Sequence, residues 1–284
     1  MTLATATTTP RSDMSPVQVI VDPLHLDEIP DIMDAMNWHT AAKLMRHWFD
    51  MKESYVMTPD VRSGKVSSLS LPSNRYNDDI VKINWLLSQP MWHAAAIDIH
   101  NSWVSAKGID RLRTLLKNVG WAIGKRTPTA LGSAAYSARE CDTLTQVNRV
   151  DVGNKLNRVD GLYGAIGNGT LKIAVVGTAF NRNGRDFFRV EKTGLYLRDS
   201  YDFEGDNEPL GIWSKQMNKC LGKLDTIAYL SSPLFFALQG YVPVFNRDFR
   251  RWQEAHKNDT KKGGDFIVYS DVQWRNESGW EIPL

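Results

Sequence analysis

The stretch GTLKIAVVGTAFNRNGRDFFRVEKTGLYLRDSYDF, residues 169–203, decides the fold of the C-terminal half of the chain. Leu171 and Ile173 begin an alternation that continues through its first part, so their side chains share one face of a predicted β-strand. Asn183-Gly184 follows, and this dipeptide is typical of a tight hairpin turn. The second part is therefore predicted to return as the antiparallel partner strand.

Downstream of this hairpin, helical and strand-like patterns follow one another. FNRDFRRWQEAHKND places Phe249 and Trp252 on one face, which predicts a helix near residues 246–258. GGDFIVYSDVQW alternates with a period of two and predicts a further strand. We expect residues 135–284 to form a β-rich domain with a mostly antiparallel sheet.

Upstream of residue 135 the pattern is helical. IPDIMDAMNWHTAAKLMRHWF, residues 29–49, repeats apolar side chains such as Leu44 and Trp48 at steps of three and four residues. We expect a helical region over residues 28–125, preceded by a flexible segment over residues 1–27, which is rich in Thr, Ser and Pro. The fold class expected for the whole chain is therefore α+β.

Composition narrows the function classes. The chain has 284 residues, 42% of them hydrophobic, and a formal net charge of +2. So small a net charge predicts no strong attraction to nucleic acid. The first 18 residues lack the apolar core of a Sec signal peptide. We expect a protein that is made in the cytoplasm and that reaches other compartments only by a route other than Sec.

The segment YLRDSYDFEGD, residues 196–206, concentrates acidic side chains where a strand is expected to end. In a strand Asp199 and Tyr201 would share one face, with Asp202 on the other. A carboxylate beside a phenol can position water, or can hold a metal ion such as Mg²⁺ on a phosphate group. A solvated acidic turn explains the same residues. Both interpretations are open at this point.

A basic cluster lies on the helix expected near residues 246–258. Arg247 and Arg251 are four residues apart and share a face, and paired arginines can bind a phosphate bidentately. Arg250 can instead pair with Glu254 on a solvated face. His256 falls near the C-terminal end of the helix, where the helix dipole favours its charged form.

Four segments resemble an uncharacterised proteobacterial family of unknown function whose members are often found beside type VI secretion genes. The segments are residues 29–49, 162–180, 194–213 and 245–272. The resemblance implies a cargo or accessory protein of contractile secretion. It also implies two kinds of partner: a secretion spike or chaperone protein that binds the N-terminal helical region, and a cognate immunity protein.

A shorter resemblance covers residues 177–203. GTAF and FFRVEKTGLYLRDSYDF are similar to the catalytic stretch of colicin M-type toxins, in which a strand ends in Asp-x-Tyr-Asp. Those toxins cleave lipid II between its lipid and its pyrophosphate. Asp199, Tyr201 and Asp202 match the motif, whereas Glu208-Pro209 lies where the toxins carry a His-Arg pair.

These observations lead to one hypothesis with two alternatives. The hypothesis is an antibacterial effector, exported by type VI secretion into the target-cell periplasm, that is a metal-dependent hydrolase of a lipid-linked peptidoglycan precursor. The alternatives are a non-enzymatic adaptor of the secretion spike and a membrane-damaging effector. In the hydrolase hypothesis, the expected catalytic residues are Asp199, Tyr201, Asp202 and His256. The expected Mg²⁺ ligands are Asp199 and Asp202. The expected substrate-binding residues are Arg198, Arg247, Arg250 and Arg251.

Overall fold

A computed structural model describes residues 23–153, 160–222, 228–229, 231–237 and 240–284 of the protein. Most of the predicted flexible segment, residues 1–22, lies outside the described residues. The predicted α+β class is confirmed: helices dominate the N-terminal half, and a mostly antiparallel sheet dominates the C-terminal half.

The helices and strands have the following bounds. The α-helices are α1 (Ile29–Ala35), α2 (His39–Phe49), α3 (Pro59–Arg62), α4 (Ile83–Leu87), α5 (Pro90–Ser102), α6 (Ala106–Asn118), α7 (Ala138–Leu144), α8 (Gly161–Ala165), α9 (Pro233–Ala237) and α10 (Asn246–Ala255). The strands are β1 (Tyr76–Val81), β2 (Thr129–Leu131), β3 (Gln146–Val152), β4 (Gly169–Arg182), β5 (Arg185–Tyr201), β6 (Pro209–Ser214), β7 (Lys219–Cys220), β8 (Tyr241–Phe245), β9 (Phe266–Ser270), β10 (Gln273–Asn276) and β11 (Glu281–Pro283). Short 3-10 turns occupy Leu26–Glu28, Ser68–Ser70 and Ser73–Arg75.

The predicted hairpin forms the centre of the main sheet. Strands β4 and β5 pair antiparallel from Thr170 opposite Arg198 as far as Arg182 opposite Arg185. Asn183 and Gly184 connect them with φ angles of 53° and 80°. Two successive positive φ values are the requirement of the tight turn that Asn-Gly favours. The turn chemistry read from the sequence therefore sets the register of the longest strand pair.

Shorter strands extend the hairpin on both sides. The main path of the sheet runs β1-β9-β5-β4-β2, with β3 also on β4, and β10 and β11 also on β5. The pairing of β1 with β9 is parallel, and the other pairings in the sheet are antiparallel. Because β1 comes from the helical half, both halves of the chain contribute to one sheet. A small antiparallel sheet, β7-β6-β8, lies beside it.

The alternation of β5 gives its two faces different neighbours. Leu197 and Tyr201 belong to the larger apolar core, which also contains the buried face of α2. Tyr196, on the other face, belongs to a smaller core with Cys141 of α7. The apolar stripe of the N-terminal helical segment is thus part of the protein interior, with Leu44 and Trp48 fully buried.

Candidate functional site

A cavity of about 460 Å³ lies where strand β5 ends. Helices α1, α2, α8 and α10 and the small sheet form its walls together with the end of β5. Much of the wall is apolar and includes Met33, Trp38, Met45, Leu210, Trp213 and Val244. The polar part includes Arg62, Asp199, Asp202, Glu204, Glu208 and Asn246. A concave cavity that combines apolar surface with convergent polar groups is a common form of a small-molecule site.

Local sequence explains how helix α8 comes to form one wall. Asp160 precedes the helix, and its carboxylate accepts hydrogen bonds from the backbone N–H groups of Leu162 and Tyr163, both at 3.0 Å. Gly161 lies against Trp38: a Cβ atom at this position would be 3.1 Å from the indole ring. A carboxylate cap and a glycine therefore hold this short helix close to the tryptophan that lines the cavity.

Asp199 lies on the cavity side of β5, opposite Val268 of β9, and is half-buried. Burial raises the pKa of the Asp199 carboxyl well above its usual range, and the negative charge of Asp202 raises it further. A backbone hydrogen bond from Ser200 and the charge of Arg198 oppose this rise, and within the described part of the chain Asp199 forms no salt bridge. The net effect is a raised pKa, so Asp199 is better suited to donate a proton in the cavity than an unperturbed aspartate is.

The raised pKa predicts how stability depends on pH. The folded chain binds the Asp199 proton more tightly than the unfolded chain does. Its contribution to the free energy of unfolding is complete below the unfolded pKa, about 3.9, and is lost as the pH rises through the folded value. We expect Asp199→Asn to lose less stability than the wild type as the pH rises from about 4 through the raised pKa of Asp199, measured by urea unfolding. If the free energy of unfolding changes with pH in the same way for the variant and the wild type, this prediction is wrong. Asp206→Asn, in the exposed turn, is the control.

Tyr201 and Asp202 both line the cavity but differ in their environment. Tyr201 is buried and stacks on Phe266 with ring centroids 5.2 Å apart, and burial raises the pKa of its phenol, which stays neutral. Asp202 follows the strand, and its Oδ2 accepts a hydrogen bond from Arg62 Nε at 2.6 Å. Burial raises the pKa of Asp202, and Arg62 opposes that rise. Sequence analysis placed these residues together, and the structure does so too.

Arg62 is a site residue that sequence analysis missed. It also forms an ion pair with Glu204, so one guanidinium joins two carboxylates of the turn after β5, those of Asp202 and Glu204. Its position is fixed from the opposite side, since Arg198 donates to the backbone carbonyls of Val61 at 2.6 Å and Arg62 at 2.9 Å. Thr58 caps helix α3 through Val61 N. Nothing local in residues 58–62 indicates a partner 140 positions away.

Replacing Arg62 tests how much it stabilises this turn. Arg62→Ala leaves Asp202 in place with only 13% of its side chain exposed and no guanidinium beside it. We expect a loss of about 1–3 kcal/mol in the free energy of unfolding, because a largely buried carboxylate loses its charged partner. Lys65→Ala breaks an exposed pair with Asp60 and should cost less than about 1 kcal/mol. Denaturant titrations measure both variants. If the two variants lose similar amounts of unfolding free energy, the proposed role of Arg62 in this turn is wrong.

Arg198 does not present its guanidinium to Asp199. It points to the opposite face of the sheet, where Asp142 lies 3.5 Å from Arg198 Nε and 2.5 Å from Lys172 Nζ. Tyr269 donates to the same carboxylate at 3.0 Å. Asp142 thus balances two buried cations. The interactions of Arg198 in the structure are with Asp142 and the carbonyls of α3, rather than with a cavity anion.

The basic residues of α10 do not converge on Asp199. Arg250 donates to both oxygens of the buried Asp265, at 2.9 and 2.7 Å, and to the carbonyl of Phe203 at 3.1 Å. Arg247 donates to Asn207 in the turn after β5. Arg251 is exposed, and His256 stacks on Trp252 with its Nδ1 2.8 Å from the carbonyl of that residue. None of these four side chains is among those that line the cavity.

The expected Mg²⁺ ligands, Asp199 and Asp202, differ in their surroundings. Burial raises the pKa of Asp199, and Asp202 pairs with Arg62. Throughout the described ranges there is no group of three or more His, Cys, Asp or Glu side chains arranged to hold a metal ion. Mg²⁺ prefers several ionised or carbonyl oxygens in octahedral geometry. The two carboxyl groups, as they stand in the structure, do not fit such a site.

Fold and cavity together define an α+β protein with a ligand-sized cavity at the open end of its central hairpin. The chain matches the family of unknown function DUF6402 over residues 24–280 and therefore belongs to that family. No curated protein and no solved structure matches the chain. Among the described residues, no helix combines the length and the apolar character needed to cross a bilayer.

Proposed function

We propose that the protein is an antibacterial effector whose cavity hydrolyses a lipid-linked precursor of the cell envelope, with Asp199 as the general acid. One observation carries the proposal: the Asp199 carboxyl group, whose pKa burial raises, faces a cavity whose wall is partly apolar and partly polar. A general acid must hold its proton near neutral pH, and burial of a carboxyl group achieves this.

The proposed reaction is hydrolysis of the bond between the lipid and its pyrophosphate. Water attacks the phosphorus atom attached to the lipid oxygen, and the bond between that phosphorus and oxygen breaks. The leaving lipid alkoxide takes the proton of Asp199 and becomes an alcohol. The attacking water gives up one proton, which restores the carboxyl group of Asp199. Protonation matters because an alkoxide is a poor leaving group in water-poor surroundings.

The remaining cavity residues support the binding of an amphiphile. Met33, Trp38 and Trp213 offer apolar surface for a hydrocarbon chain. Arg62 lies on the polar side of the cavity, where it pairs with the carboxylates of Asp202 and Glu204. The head group would therefore contact one cation and two acidic side chains there. The wall is thus divided between an apolar and a charged part, as an amphiphilic substrate requires.

Export by type VI secretion is the part of the proposal that rests on sequence resemblance. A spike or chaperone protein would have to bind the exposed residues of the N-terminal helical region, because the apolar face of α2 is already buried. A cognate immunity protein would protect the producing cell by blocking the cavity or its approach.

The proposal is tested by directing the protein separately to the cytosol and the periplasm of a susceptible bacterium. We expect growth arrest with the periplasmic form, release of the lipid alcohol from a lipid-linked precursor by purified protein, and little effect from the cytosolic form. If the bacterium grows normally with the protein in either compartment, the proposal that the protein is a toxin is wrong. Dye leakage from liposomes without product release would contradict the hydrolase and favour direct membrane damage.

A further inference from the structure

Asn246, the first residue of helix α10, carries an unused hydrogen-bond acceptor in the cavity wall. The residue is 4% exposed. Its Nδ2 donates to the carbonyl of Glu204 at 2.5 Å. Its Oδ1 is buried and accepts no hydrogen bond from any residue that the structure describes. Among the described residues, the Nδ2 group of this amide therefore has a hydrogen-bond partner and the Oδ1 atom has none.

An unpaired buried acceptor is costly, and folded proteins contain few of them. Of the buried side-chain atoms without a partner in the described ranges, two belong to residues that line the cavity: Asn246 Oδ1 and Arg198 Nε. Arg198 Nε lies 3.5 Å from the carboxylate of Asp142, which balances its charge. Asn246 Oδ1 has no comparable group, so a ligand is the natural source of its donor.

The neighbours of Asn246 define what else that ligand must contain. Val244 and Phe249 bring apolar surface on the same segment of chain, and Glu204 is held by Arg62. A donor group of the ligand would therefore meet Asn246 at the boundary between the apolar and the charged walls. The oxygen is covered in the structure, so a ligand donor can reach it only when the adjoining wall shifts.

We infer that the cavity binds an amphiphile whose head group carries an O–H or N–H donor, and that Asn246 Oδ1 accepts the hydrogen bond of this donor. Asn246 is then a specificity-determining residue that discriminates amphiphiles with hydroxyl or amide donors in the head group from their ethers. The inference rests on the proposed function only in taking the same cavity as the binding site, and it requires no particular reaction.

Two matched amphiphiles test the inference on the unmodified protein. Octyl glucoside carries hydroxyl donors, whereas its tetra-O-methyl ether keeps the chain and the ring oxygens and has no donor. Trp38 and Trp213 line the cavity, so intrinsic tryptophan fluorescence reports binding below the micelle-forming concentration. We expect octyl glucoside to bind about tenfold or more tightly than the ether, since the ether leaves the acceptor unpaired. Equal affinities, or no binding of either compound, would overturn the inference.

Substitution of Asn246 provides the second arm. We expect Asn246→Leu to lower the affinity for octyl glucoside about tenfold and to leave the affinity for the ether unchanged. Asn118→Leu, at the exposed end of α6, is the matched control and should change neither affinity. A retained glucoside preference in a folded Asn246→Leu protein would overturn the inference. A toxic Asp199→Asn protein would contradict the proposed reaction and leave these binding results unaffected, so the two failures are distinguishable.

Discussion

Asp199→Asn is expected to lower the rate of hydrolysis of the lipid-linked precursor by about 10²–10⁴-fold, the usual contribution of a general acid. The amide has nearly the shape of the carboxyl group but no proton to give to the leaving oxygen. The Asp199→Asn protein should therefore also lose its toxicity in the periplasm. Asp199 is half-buried and forms no ion pair with the described residues, so the substitution breaks no salt bridge and the variant should fold.

Two measurements make this prediction decisive. The wild-type rate should fall as the pH rises through the raised pKa of Asp199, because ionisation removes the acid. Asp206→Asn removes a carboxyl group from the exposed turn a few residues away and should retain the wild-type rate and pH profile. If Asp199→Asn is as active and as toxic as the wild type, Asp199 is not the acid, and the proposed chemistry is wrong.

Asp265→Ala is expected to produce a very large loss of stability, about 3–5 kcal/mol in the free energy of unfolding. Asp265 is fully buried and accepts hydrogen bonds from Arg250, from Trp48 Nε1 at 3.1 Å and from the backbone N–H of Met57 at 2.8 Å. Removing the carboxylate leaves the Arg250 cation with 20% of its side chain exposed and no counter-charge. Three elements, α2, α10 and the segment before α3, lose their common partner.

The control is an ion pair at the C-terminal end of the same helix, between Glu254 in its last turn and Lys257 just after it. Glu254 and Lys257 pair at the surface, with 73% and 57% of their side chains exposed, and Glu254→Ala should cost less than about 1 kcal/mol. Urea titrations followed by tryptophan fluorescence measure both variants. A loss below about 1 kcal/mol for Asp265→Ala would show that repacking compensates for the missing carboxylate. Because Arg250 also holds the carbonyl of Phe203, we expect the variant to loosen the turn after β5 as well.

Local patterns explain which features could be predicted from the sequence. The hairpin follows from a period of two on either side of Asn183-Gly184, and both signals lie within a few residues of the structure that they specify. The strand-end pair Asp199 and Tyr201 follows from the same alternation. Helix α10 follows from the spacing of Phe249 and Trp252, although it ends at Ala255, before the predicted boundary.

The rest of the site depends on contacts between distant parts of the chain. Local sequence does not show which carboxylate an arginine will pair with. The sequence therefore predicts that Arg250 binds a substrate phosphate, whereas in the structure it pairs with Asp265. The cation that does reach Asp202 comes from Arg62, in a short helix of the other half. The cavity itself is formed by segments that meet through folding, and no single segment encodes it.

The parallel pairing of β1 with β9 has a consequence for biosynthesis. It brings Tyr76 beside Ile267, so this edge of the sheet cannot form until Ile267 has been synthesised and has left the ribosome. Contacts of such long sequence separation slow folding and prolong the lifetime of incompletely folded chains. In the nascent chain, β1 therefore stays without its partner strand until β9 emerges.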